Sequence, residues 1–175
     1  EAYYREEAHA ETLSAYERHL SQMLEFLDPA RLFGLGAEVA AHRIVSLEKE
    51  LAAGHWDVVS TRDAVKTYNP CEFSELPTMT RALLSGGNLP EHRVVNMMPS
   101  YLEHFESLFT SARMADWQLW ATWHILRSRA AMLPEEVGAK NFEFYGTKLS
   151  GATQQRDRWK RAVGLAESLV GEEIG

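Results

Sequence analysis

Apolar residues recur along most of this chain at steps of three and four, the spacing that lines them up on one face of a helix. Leu13, Tyr16, Leu20, Leu24 and Leu27 form such a stripe on a predicted first long helix. Asp28-Pro29 is expected to end it, because proline disfavours a helical residue before it. Ala37, Ala40, Ile44, Leu47 and Leu51 repeat the pattern, with Gly54 as the stop. From 56 to 89, Pro70, Pro77 and the Gly86-Gly87 pair break the periodicity, which predicts short helices joined by turns. Residues 93 to 98 read as a short extended segment before Pro99.

Regular helix resumes with Leu102, Phe105, Phe109 and Ala112 on one face. Asp116 is the expected N-cap of a helix from 117 to about 130. Trp117, Leu119, Trp120, Trp123, Ile125 and Leu126 surround most of that helix, which places it at the centre of the core. Pro134 with Glu135 and Glu136 is the chemistry of a first helical turn. A last helix, from about 154 to 170, is expected to turn Trp159, Val163, Ala166 and Val170 inward, with Gly171 at its end. The sequence shows no repeat, low-complexity tract or linker. It predicts a single all-α domain over residues 1–175, with several helices and short irregular connections.

Composition narrows the picture. Apolar residues make up 45% and charged residues 25%, which is ordinary for a packed domain and excludes intrinsic disorder. A formal charge of −7 argues against binding nucleic acid through its phosphates. The single cysteine, Cys71, cannot close an internal disulfide, so packing must carry the fold. This suits a cytoplasmic protein or a bacterial secreted one and does not separate them. No apolar run approaches the roughly 18–20 residues of a membrane span, and no basic-then-apolar leader opens the chain. The chain starts at Glu1 without an initiator Met and reads as a piece of something longer.

Candidate chemistry is sparse. Glu6 and His9 share a helix face at the Glu-x-x-His spacing, but a di-iron bundle needs that motif twice with two further Glu, so a solvated face is the better reading. Glu38 and His42 read as a surface pair one turn apart. His124, inside the tryptophan-rich helix, reads as a hydrogen-bonded core residue, and Cys71 has no activating neighbour. Arg156, Arg158, Lys160 and Arg161 surround Trp159, but the two flanking cations point away from that ring. Pairing with acids of neighbouring helices is expected there rather than nucleic acid. The five tryptophans read as core, with a ligand pocket as the alternative. No catalytic, cofactor-binding or metal-ligating residue is assigned.

Four segments nevertheless resemble, in order, the helical N-terminal domain of neprilysin-type zinc endopeptidases. They are Tyr3-Tyr4-Arg5, then His55-Trp56-Asp57-Val58-Val59 with Arg62-Asp63, then Lys66-Thr67-Tyr68-Asn69-Pro70. The fourth is the block from Asp116-Trp117 to Gly175, strongest at Trp123, Leu126-Arg127, Phe142 through Gly146, Gly151, Arg156 and Arg158-Trp159-Lys160-Arg161. The likeness is nearest to actinobacterial members. It implies an all-α lobe that faces a thermolysin-like zinc domain across a closed cavity, admits peptides and excludes folded proteins.

In that family zinc is held by His-Glu-x-x-His, where two imidazoles one turn apart bind the metal and the Glu activates water. None of the seven His residues here is followed by Glu, so the resemblance implies zinc only in the full-length protein. Asn141-Phe142-Glu143-Phe144-Tyr145 echoes the family's substrate-gripping Asn-Ala-Phe-Tyr, but its context matches the helical lobe and the role is not carried over. The expected partners are the catalytic lobe of the parent chain and, in the full-length protein, peptide substrates. Self-association through surface meant for the other lobe is a further expectation. The alternative is a free-standing helical binding or scaffold module.

Overall fold

The short-range signals account for most of the helix ends in this computed structural model, which describes residues 1–87 and 92–174, the side chain of Ile174 excepted. Residues 88 and 89, the end of the predicted stretch of short helices, and Gly175, the end of the predicted domain, lie outside the described residues. After the one-turn helix α1 (Ala2–Arg5), α2 (Ala10–Leu24) buries His19, Leu20, Met23 and Leu24. It stops short of the expected Asp28-Pro29. That pair starts the next turn instead: the Asp28 carboxylate accepts from Ala30 N at 2.8 Å and Pro29 opens a 3₁₀ turn, Pro29–Leu32.

The next long helix, α3 (Ala37–Gly54), matches its expected bounds. It buries Ala40, Ala41, Ile44, Val45, Leu47 and Ala52, a wider face than the predicted stripe. Short helices α4 (Val58–Arg62) and α5 (Ala64–Thr67) follow, each started by an aspartate cap. Strand β1 (Pro70–Cys71), helix α6 (Thr78–Gly86) and strand β2 (Val94–Val95) come next. The expected extended segment is β2, antiparallel to β1 with Pro70 opposite Val95 and Cys71 opposite Val94.

Helix α7 (Pro99–Leu108) ends before Phe109, which leaves helical geometry at φ −88° and ψ 73°; Ala112 falls in a 3₁₀ turn, Ser111–Arg113. Helix α8 (Met114–Arg129) starts earlier than expected, so Asp116 is not its cap but lies in its first turn. There its carboxylate meets the Arg43 guanidinium at 2.7 Å. Leu119, Trp123 and Leu126 are buried, but Ile125 is 65% exposed and Trp120 only half-buried. An apolar residue on every side of a helix hides which side packs, and here one side does not.

Helix α9 (Glu135–Phe142) passes directly into a π-helical stretch, Glu143–Leu149, which Gly151 ends at φ 67°. The last helix, α10 (Arg158–Ile174), starts later than the expected 154, runs past Gly171 and does not bury the face expected inward. Trp159, Val163 and Val170, expected inward, are 66%, 58% and 41% exposed.

The chain forms two compact units: Glu1–Leu13 with Arg43–Gln118, and Ser14–His42 with Leu119–Gly175. The first buries Ile44, Val45, Leu47, Phe73, Leu76 and Trp117; the second buries Leu20, Met23, Leu24, Leu119, Trp123 and Phe144. Among the described residues no helix is long and apolar enough to cross a membrane.

Close helix packing in the first unit depends on Gly54. A Cβ there would lie 2.2 Å from the His104 ring, which is itself held by a 2.8 Å hydrogen bond from Nε2 to the Glu50 carbonyl. Gly54→Ala is expected to cost about 1–3 kcal/mol by overpacking. Gly86→Ala, where a Cβ meets nothing within 4 Å, is the matched control, and chemical denaturation of both variants checks the difference.

Candidate functional site

In the first unit, the residues that stand out in sequence work on the backbone. The Arg5 guanidinium donates to the carbonyls of Ala52 and His55, the latter at 2.6 Å, and so covers the open C-terminal end of α3. Tyr4 Oη donates to Glu48 Oε2 at 2.9 Å, which satisfies an acid that is 7% exposed. Asp57 caps α4 by accepting from Val59 N and Ser60 N, and Asp63 caps α5 by accepting from Val65 N and Lys66 N. Hydrogen bonds from the Ser60 hydroxyl and backbone hold the Asp57 carboxyl below its ordinary pKa.

Around them, Trp56 Nε1 donates to Ser100 Oγ at 2.8 Å, and Lys66 Nζ sits 4.5 Å over the Trp56 ring. Arg113 grips Glu50 with two bonds of 2.6 and 2.7 Å, which lowers the Glu50 pKa. The same guanidinium comes within 3.8 Å of Asp116. Beside β2 lies an apolar groove of about 350 Å³, lined by Leu76, Leu84, Val94, Met98, Tyr101 and Leu102 among others.

The second unit holds the densest cluster of chemistry-bearing side chains. His19, on α2, is 4% exposed and stacks on Phe144 at 4.9 Å between the edges of Trp123 and Tyr145. Trp123 Nε1 donates to Tyr16 Oη at 2.9 Å. The π-helical stretch supplies Phe144 and Tyr145, and the Arg127 guanidinium lies 4.4 Å over the Tyr145 ring. His19 Nε2 is sealed from solvent without a hydrogen bond. Burial, with Lys140 and Arg127 adding to it against an opposing pull from Glu143 and Asn141, lowers its pKa to about 4. The ring is therefore neutral at pH 7. Two clefts border the cluster. One, of about 160 Å³, has His19, Arg18, Glu143 and Lys148 in its wall; the other, of about 460 Å³, is lined by His124, Arg127, Ser128, Asn141 and Tyr145.

The other candidates are scattered. Glu6 and His9 approach to 3.9 Å, and the His9 ring packs on Tyr3. His42 pairs with Glu17 on α2 at 2.8 Å rather than with Glu38. His124 packs against Trp120 with centroids 4.1 Å apart and the rings tilted by 50°, and Cys71 is half-buried in β1 as a free thiol. In the basic turn, Arg158 and Arg161 make the expected pairing with an acid of a neighbouring helix, Glu135 at 3.2 Å, whereas Lys160 meets Asp157, three residues before it, at 2.9 Å.

Of the tryptophans, Trp117 and Trp123 are core, whereas Trp159 is not. His19 went unsingled in sequence although it falls three residues after Tyr16, beside the apolar stripe; that position was the available signal. Among the described residues no group of three or more His, Cys, Asp or Glu could hold a metal ion. Zinc takes three or four such ligands, a set that the described residues do not bring together.

The model of peptidase family M13, in its N-terminal part, matches residues 1–175. Neprilysin-2 of Drosophila melanogaster is 28% identical over 160 residues, which cover 83% of this chain and 20% of that protein. The zinc metalloprotease Zmp1 of Mycobacterium tuberculosis is similar in two solved structures. Its open state is 40% identical with a TM-score of 0.80, and its complex with an inhibitor is 39% identical with a TM-score of 0.82. In both, the match covers 97% of this chain and 27% of the other. The chain thus spans about a quarter of the length of the solved relatives it matches.

Proposed function

This chain belongs to peptidase family M13, and from that membership we propose that it is the non-catalytic helical lobe of a zinc metalloendopeptidase, walling the cavity in which the full-length protein cleaves peptides. The observation that carries the reading is the match of nearly the whole chain, at about 40% identity, to 27% of a zinc metalloprotease. The chain's own geometry agrees with a wall rather than a catalyst. Its distinctive residues cap helices and satisfy buried groups. The metal, when bound, would polarise the scissile carbonyl and activate water, and its ligands would belong to the length that these residues do not span. Confinement behind a helical wall would select short peptides by steric exclusion.

The test is a fluorogenic peptide assay on the full-length protein and on residues 1–175. Chelator-sensitive turnover is expected from the first, and none above buffer from the second. The same peptide sequence embedded in a folded protein should survive. A full-length protein without chelator-sensitive turnover overturns the activity, and cleavage of the embedded sequence at a similar rate overturns the confinement.

A further inference from the structure

His19 is an ionisable side chain in surroundings that cannot keep it charged. Its ring lies nearly flat on Phe144 at 4.9 Å, and its Nε2 is sealed from solvent with no hydrogen bond. Two cations oppose a proton there: Lys140 on α9, paired with Glu143 at 2.6 Å, and Arg127 on α8, held over the Tyr145 ring. Glu143, on the π-helical stretch, and Asn141 on α9 pull the other way. Arg18 on α2 and Lys148 on the stretch share the smaller cleft with the ring, and His124 on α8 lines the larger one. Tyr145 stands edge-on to the imidazole, and Tyr16, also on α2, meets the far partner of the stack, Phe144. A charged His19 therefore needs water, and its cover must move to admit it.

The cover held most weakly is the π-helical stretch, Glu143–Leu149. It buries one side chain, Phe144, whereas Thr147, Lys148 and Leu149 are exposed. By contrast α2 buries four residues, and α8 buries Leu119, Trp123 and Leu126. A segment with few buried apolar contacts opens at a lower free energy than the core around it. Clefts of about 160 and 460 Å³ border the cluster, so movement of the stretch alone joins His19 to solvent. A π-helical run of this length is also rare and is found most often where a fold has a task besides packing.

We propose that Glu143–Leu149 is an acid-released latch: when His19 takes a proton, the stretch lifts away, uncovers His19 and Phe144, and leaves α2 and α8 packed. With the stretch closed the ring keeps a pKa of about 4, and with it open the ring returns to an ordinary 6.5. Opening is therefore favoured as pH falls between those values, by about tenfold per pH unit. The latch lies within the second unit and needs nothing from the proposed activity.

The experiment is amide hydrogen exchange of the full-length protein between pH 6.5 and 4.5, read as protection factors so that the intrinsic pH dependence of exchange divides out. Protection of the Phe144–Leu149 amides should fall about tenfold per pH unit and change little in urea below the unfolding midpoint. The Leu20–Leu24 amides should stay at least about tenfold better protected at every pH. In His19→Leu the fall across Phe144–Leu149 should vanish. Should that variant fail to fold, the pH and urea dependences of the parent decide alone. One protection factor and one urea dependence shared by Phe144–Leu149 and Leu20–Leu24 would mean global unfolding and overturn the latch. Protection that does not change with pH, or that falls equally in His19→Leu, overturns it as well.

Discussion

Trp123→Ala is expected to lower the stability of the second unit by about 3–5 kcal/mol, the usual cost of emptying a buried aromatic site. The ring is 0% exposed, its Nε1 donates to Tyr16, and its edge meets both Tyr16 and His19. Alanine removes the apolar contacts, leaves a cavity that the surrounding rings cannot refill, and strips the Tyr16 hydroxyl of a partner. Trp123→Phe keeps much of the volume and loses the hydrogen bond, so about 1–2 kcal/mol is expected. Trp120→Ala, at a half-buried position, should cost distinctly less than Trp123→Ala. Urea unfolding followed by circular dichroism orders the three. A Trp123→Ala variant within 1 kcal/mol of the parent would show that the indole is not a core group.

Acid should weaken the same cluster well before the carboxylates titrate. His19 has a pKa of about 4 in the folded chain, against an ordinary 6.5, because burial among rings penalises the imidazolium. Between those values the unfolded chain binds a proton that the folded chain refuses, so stability rises with pH and is lost as pH falls from about 6.5 toward 4. At about 1.4 kcal/mol per pH unit, the full effect is about 3 kcal/mol.

His19→Leu, similar in size and without a charge, should flatten the pH dependence of stability across that window. His55, whose pKa burial also lowers, leaves a smaller residual slope in both proteins. Glu50 acts below the window: Arg113 holds its pKa under 4.5, and the stability from that pair is lost only as pH falls further. Equal slopes for parent and His19→Leu between pH 6.5 and 4.5 would sink the assignment.

The sequence by itself determined the helical class, the bounds of α3 and the breaks between 56 and 87. These follow from short-range chemistry. Side chains three and four apart share a face, Pro and Gly restrict φ, and Asp57 and Asp63 reach only two or three residues ahead to cap. The segments that carry the family likeness include Arg5, Asp57 and Asp63, whose side chains hold particular backbone ends.

Tertiary structure decided what distance in sequence conceals. Asp116 is a partner for Arg43, 73 residues away, rather than a cap, and His19 is neutral because rings from 123, 144 and 145 close over it. Periodicity states that Trp159, Val163 and Val170 share a face of α10, and Ile125 an apolar helix, without stating what each face meets. A hydrophobic stripe records that burial is favourable. Which surface provides it depends on every element that folds nearby, and among the described residues nothing buries the Trp159, Val163 and Val170 face of α10.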